Sequence, residues 1–245
     1  MSSISAYAAF VQKYGLSKIL ADDDFRVTAS GGIAMSANRS PKQGDDQCNA
    51  MLQLLNRWFA NSRVLETLID LVGVDNFRKH VAQSDLEAVA ESSIANGEDV
   101  EKYHELILEG RTGEFGAAAC AGAIMVVLSN LLQRYKKDLH AETMNWDAID
   151  PVFGGCSFGQ IVVAAANNFR HHDEWARTGR RELNEQQKRS VSVIEQALDY
   201  APLSSRVEPW RRNACADLVE IICGSNFAVL QDNFIQFAKG MACPP

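Results

Sequence analysis

Residues 116–132 form a run that is apolar apart from Ser129 and Asn130, and no other stretch restricts the choice of fold as strongly. A helix without a polar face has nowhere to meet water, so it lies inside a packed bundle or inside a bilayer. The run falls short of the about 20 apolar residues that a membrane span needs. Its start is rich in glycine and alanine, which suits close packing against another helix. A buried bundle helix with no membrane partner is therefore expected. A hydrophobic fraction of 47% over 245 residues supplies the core such a bundle needs, and residues 1–245 read as a single α-helical domain.

Helical spacing recurs on both sides of this run. Tyr7, Phe10, Val11 and Tyr14 place a short amphipathic helix in residues 3–20, broken near Gly15. Phe25 to Ala29 and Ile33 to Met35 flank Ser30-Gly31-Gly32, so residues 25–35 predict a small N-terminal β-hairpin appendage. Residues 37–46 read as loop. Helix resumes at 47–71, bent near Asn61-Ser62, and Ser84-Asp85-Leu86-Glu87 matches a capping box that starts a new helix running to Asn96-Gly97. Val100, Tyr103, Leu106 and Ile107 give one more face before Gly110 and Gly113 punctuate the chain. Residues 144–158, with Pro151, Gly154 and Gly155, read as a loop into the helix at 158–175. The charged run at 177–188 reads as a solvated linker and helix start. Residues 190–200 form an amphipathic helix ended by Pro202, and 205–242 return to helix, divided at Gly224-Ser225. The fold class is all-α, a helical bundle with one small hairpin.

The chemistry-bearing groups gather in residues 166–175. On a helical wheel Phe158, Ile161, Val162, Ala165, Phe169 and His172 share one side, while Gln160, Asn167, Arg170, His171 and Glu174 share the other. Side chains three and four apart are neighbours on a helix, so Asn167, Arg170, His171 and Glu174 form one polar row. His172, on the apolar stripe, is expected to be a buried, hydrogen-bonded core residue, and Trp175 to serve packing.

Other chemistries fit less well. His171 and His172 are adjacent and point about 100° apart, so one helix cannot close both on a metal. His104-Glu105 is followed by Leu108 where an HExxH zinc motif needs histidine, no G-x-S-x-G occurs, and neither glycine pair makes a Walker loop with its lysine. No cofactor or metal is called for. The six cysteines are scattered without a CxxC pair, which reads as reduced thiols and a cytoplasmic home, and no secretory leader opens the chain. A net charge of -7 argues against a general nucleic-acid binder and leaves only a local basic patch for such a partner. What remains is metal-independent acid–base chemistry or phosphate contact by His171 with Arg170. RNA suits that pair, because its 2′-OH is an internal nucleophile and needs only proton transfer and charge stabilisation.

These residues resemble the HEPN superfamily, whose motif reads Arg-(Asn/Asp/His)-x-x-x-His on a late helix of an all-helical bundle. Asn167 matches the polar position and His171 the histidine, while Ala166 stands where the family has arginine. The stretch Asn-Asn-Phe-Arg-His-His-Asp-Glu-Trp also looks like the aromatic-basic-His-x-x-Glu-Trp elements of abortive-infection and other defence-island proteins of HEPN-like type. The likeness covers residues 117–200. It implies a homodimer built through the motif helices, with a composite site between protomers. Active members cut RNA without a metal, often as toxins in antiviral defence or toxin-antitoxin systems, whereas others are interaction or ligand-binding modules.

Two functions are therefore expected as rivals. One is a metal-independent endoribonuclease in prokaryotic anti-phage defence: His171 the general acid or base, Arg170 stabilising phosphate charge, Asn167 orienting the site and Glu174 holding Arg170 or His171. The other is a non-catalytic helical regulatory subunit, antitoxin-like or ligand-sensing. There Arg170 and Glu174 would be interface ion pairs, or a pocket under Trp146 and Trp175 would take a small molecule. The partners called for are RNA, a second copy, and an antitoxin or defence protein.

Overall fold

The computed structural model describes residues 3–21, 24–35, 41–93, 100–141, 146–178, 180–199 and 208–243. Among these residues the chain is mostly helical, with seven α-helices and one two-stranded antiparallel sheet. Helix α1 (Ser3–Lys13) ends where Gly15 turns the chain at φ 62°, as its sequence predicts. Its end is tied to the last helix, α7 (Phe227–Ala242), by Lys13 and Tyr14 donating to Asp232 Oδ1 at 2.7 and 2.6 Å.

The dominant element is a hairpin of two long helices, α2 (Asp46–Ser93) and α3 (Val100–Asp138). The predicted start of a helix at Ser84-Asp85-Leu86-Glu87 is not found, because these residues lie inside α2. A capping box stabilises only where amides lack carbonyls one turn earlier, and here Ala82 and Val89 keep an apolar stripe buried against α3 so that the helix continues. Gly110 and Gly113, expected to punctuate, likewise lie within α3. Their purpose is proximity rather than a turn. A Cβ on Gly113 would lie 2.7 Å from the Asp75 carbonyl oxygen and 3.0 Å from the Lys79 amide, so the missing side chain lets two backbones meet.

This contact yields a first prediction. Gly113→Ala gains helix propensity yet forces the helices apart, for a net loss of about 2 kcal/mol. Thermal denaturation should show Tm falling by about 4–8 °C. Gly73→Ala in α2, where the nearest atom to a new Cβ is 3.8 Å away, should leave Tm unchanged or raise it.

The apolar run at 116–132 forms the inner part of α3. Ile124, Met125, Leu128 and Leu132 are fully buried beneath α2, helix α4 (Phe158–Thr178), helix α6 (Cys215–Cys223) and α7. By length and composition α3 is also the one helix among the described residues that could cross a membrane, and 56% of its most apolar window is buried inside the protein. Trp58 of α2 stacks between Phe227 and Phe234 at 5.9 and 4.5 Å, joining α2 to α7. The Tyr135 hydroxyl, at the far end of α3, donates to the Ala238 carbonyl at 3.1 Å, and burial raises its pKa.

The regular sheet lies in the stretch expected to be loop. Strands β1 (Val152–Phe153) and β2 (Cys156–Ser157) pair across Gly154 and Gly155, both at positive φ, a two-residue turn that glycine allows. Residues 25–35 do fold back on themselves, with Val27 bridged to Ile33 and Gly31 at φ 84°. They make single bridges, to one another and to residues 41–43, rather than a regular strand pair.

Helix α5 (Glu185–Ala197) begins earlier than the periodicity at 190–200 suggests. Asn184 and Gln187 form a true capping box, each side chain bonded to the other's backbone amide. The expected division at Gly224-Ser225 is present between α6 and α7, with Gly224 left-handed at φ 55°. The predicted stop at Asn96-Gly97, Pro202, and residues 36–40 and 144–145 of the predicted loops lie outside the described residues.

Candidate functional site

Helix α4 inserts between α3, α5 and α6, and its apolar stripe decides which motif residues reach solvent. Phe158, Ile161, Val162 and Ala165 are fully buried, as the helical wheel predicts. The Phe169 ring lies where a Cβ on Gly122 of α3 would stand, and the Phe237 ring occupies the same space beside Gly159. Glycine at these two positions lets aromatic rings seat against helix backbone. Ala166, which takes the place of the motif arginine, is fully buried.

Asn168 is the residue that sequence reasoning passed over. It is fully buried, its amide donates to the Trp210 carbonyl at 3.0 Å, and its Oδ1 accepts from the Ala214 amide at 2.9 Å. One side chain thereby fixes the turn Pro209–Arg211 and the start of α6 onto α4. The signal was present, since Asn168 stands seven residues after Ile161 and three after Ala165, on the apolar stripe.

Of the four predicted site residues, Asn167 and Glu174 reach α5. Asn167 is half-buried and donates to Ser190 Oγ at 3.2 Å. Glu174 accepts from Gln187 Nε2 at 3.4 Å and stands 3.3 Å from His171 Nδ1. His171 is half-exposed, and Arg170 is exposed. Two members of the row thus hold α5 against α4, and the other two point to solvent.

His172 departs from its expected place in the core. Its Nδ1 lies 3.2 Å from the Asn168 carbonyl oxygen, yet its side chain is 27% exposed. It lines an open, mainly apolar groove of about 490 Å³ between α3, α4 and the turn before α6, with Phe115, Phe169, Arg111 and Arg212. The stripe leans far enough at its C-terminal end to bring position 172 out of the core. A second groove, of about 560 Å³, lies between α4, α5 and Trp146 and includes Asn167. Neither Arg170 nor His171 lines either groove. Trp175 is buried, as expected, and lies away from the groove that Trp146 lines.

Among the described residues, no group of three or more His, Cys, Asp or Glu is placed to hold a metal ion. All six cysteines are free, and burial pushes the thiols of Cys215 and Cys223 up to about 12 and about 11. Because the thiolate is the reactive form, a maleimide at pH about 8 should label exposed Cys243 first. Cys215 and Cys223 should react only after denaturation, which peptide mapping of the labelled protein checks.

Comparison with family models, with curated proteins and with solved structures finds no match for this chain.

Proposed function

We propose that the chain is a non-catalytic helical interaction module, a regulatory subunit that works by pairing through its long hairpin. One observation carries this reading: large apolar side chains lie open to solvent along α2. Val64, Leu71, Val74 and Val81 are 57, 44, 56 and 42% exposed, and Phe77 beside them is 71% exposed. Open apolar patches on a folded protein mark the places where other surfaces bind.

The spacing of these residues suits a helical partner. Steps of seven, three and seven are the a and d positions of a heptad seam. They read the same from either end, so a second copy laid antiparallel sets Val64 against Val81 and Leu71 against Val74. The ribonuclease reading has less support, because Arg170 and His171 sit together on open helix surface and two of their neighbours in the row are engaged by α5.

Sedimentation velocity tests the pairing. The wild type should run as a dimer at tens of micromolar, roughly, and the Leu71→Ser/Val74→Ser variant as a folded monomer. A wild type that stays monomeric, or a variant that still dimerises, contradicts the seam.

A further inference from the structure

We infer that the groove between α4, α5 and Trp146 is a binding site for a neutral polyhydroxyl ligand, a small saccharide or a compound of the same hydrogen-bonding character. This site is separate from the α2 seam and does not depend on it. The inference rests on what lines the groove. Gln160, Asn167, Gln186 and Gln196 contribute carboxamides, and Ser190 and Ser192 contribute hydroxyls. Amides and hydroxyls each donate and accept, so they match a ligand whose hydroxyl groups also do both.

Only two of the lining side chains are charged, Asp147 and Arg189, and they are of opposite sign. Several of the polar groups are already held in position. Gln160 Oε1 accepts from the Ser157 amide at 2.8 Å, and Asn167 donates to Ser190 Oγ at 3.2 Å. Such anchoring lowers the entropy lost when a ligand binds.

Trp146 also lines the groove. Its ring is fixed by Phe237 at 5.8 Å and by Lys136, whose Nζ lies 4.6 Å from the ring centroid. An aromatic wall facing convergent polar groups is the usual composition of a small-ligand site, and about 560 Å³ is an ordinary size for one. A neighbouring groove, lined by Gly154, Glu195 and Asp199, shares Ser192 and Gln196 with this one.

Trp146 also provides the readout. Trp58, Trp175 and Trp210 are fully buried, so a ligand-dependent fluorescence change reports Trp146. Maltose and N-acetylglucosamine titrated into the full-length protein should give a saturable change with a dissociation constant of about 1 mM. Gln186→Ala, an exposed position, should weaken binding about tenfold. Trp146→Phe should remove the signal, and calorimetry should show binding weakened as well. No saturable response to either sugar overturns the inference. So does equal affinity in Gln186→Ala, or tighter binding of glucose 6-phosphate or free glutamine than of the neutral sugars.

Discussion

Arg57→Ala should destabilise the protein by about 3–5 kcal/mol, the largest loss expected from any single substitution outside the apolar core. Arg57 donates to Asp138 Oδ2 at 2.6 Å, joining the first third of α2 to the last turn of α3. The Asp138 side chain is 0% exposed and that of Arg57 17%. Removing the guanidinium takes the ion-pair partner from a carboxylate that water does not reach, which costs more than the pair itself contributes. Thermal denaturation should show Tm lower by about 8–16 °C. The double variant Arg57→Ala/Asp138→Ala should recover part of the loss, since the buried charge is removed as well. A loss below about 1 kcal/mol would place the pair among ordinary surface ion pairs.

Asn168→Ala should cost about 3 kcal/mol and act at a distance from the substitution. Both the Trp210 carbonyl and the Ala214 amide lose their partner, and each is buried. An unsatisfied buried group costs about 1–3 kcal/mol, and the small void left by the side chain adds to this. The turn Pro209–Arg211 and the first turn of α6 should loosen before the rest of the bundle. Hydrogen exchange should therefore speed up at residues 208–216 more than in α3. Asn168→Asp should rescue little, because a carboxylate can accept from Ala214 but cannot donate to Trp210.

Much of the fold was legible in the sequence because burial writes a period into it. The breaks at Gly15 and Gly224, the buried run of α3 and the apolar half of α4 follow from spacing alone. The errors have a common physical origin, which is that one residue type serves two purposes. Gly113 looks like punctuation, but its lack of a Cβ serves helix contact. Ser84 to Glu87 spell a cap, but a cap has no role where the preceding turn continues and a neighbouring helix covers the stripe. Gly154-Gly155 made a hairpin between strands of only two residues each, too short to show alternation.

The spacing in α4 predicts one polar row, and two of its members hold neighbouring structure in place. Asn167 and Glu174 face α5, whose contacts depend on where the chain turns after Thr178, and no spacing within α4 reveals that turn. Asn168 and Trp175, hidden among the charged residues, hold the bundle together. Exposure of Val64, Leu71, Val74, Phe77 and Val81 was likewise illegible. A helix packed on one side and a helix packed on two have the same apolar count until neighbours are placed.

The proposed role is binding rather than RNA cleavage. Its most direct test incubates the purified wild type and the His171→Ala variant with a mixed-sequence single-stranded RNA, without added metal, and follows the RNA on a denaturing gel. The RNA should stay intact with both proteins, and expression of the wild type should not arrest growth. Cleavage by the wild type that disappears in a folded His171→Ala variant would contradict the account and return the polar row of α4 to catalysis.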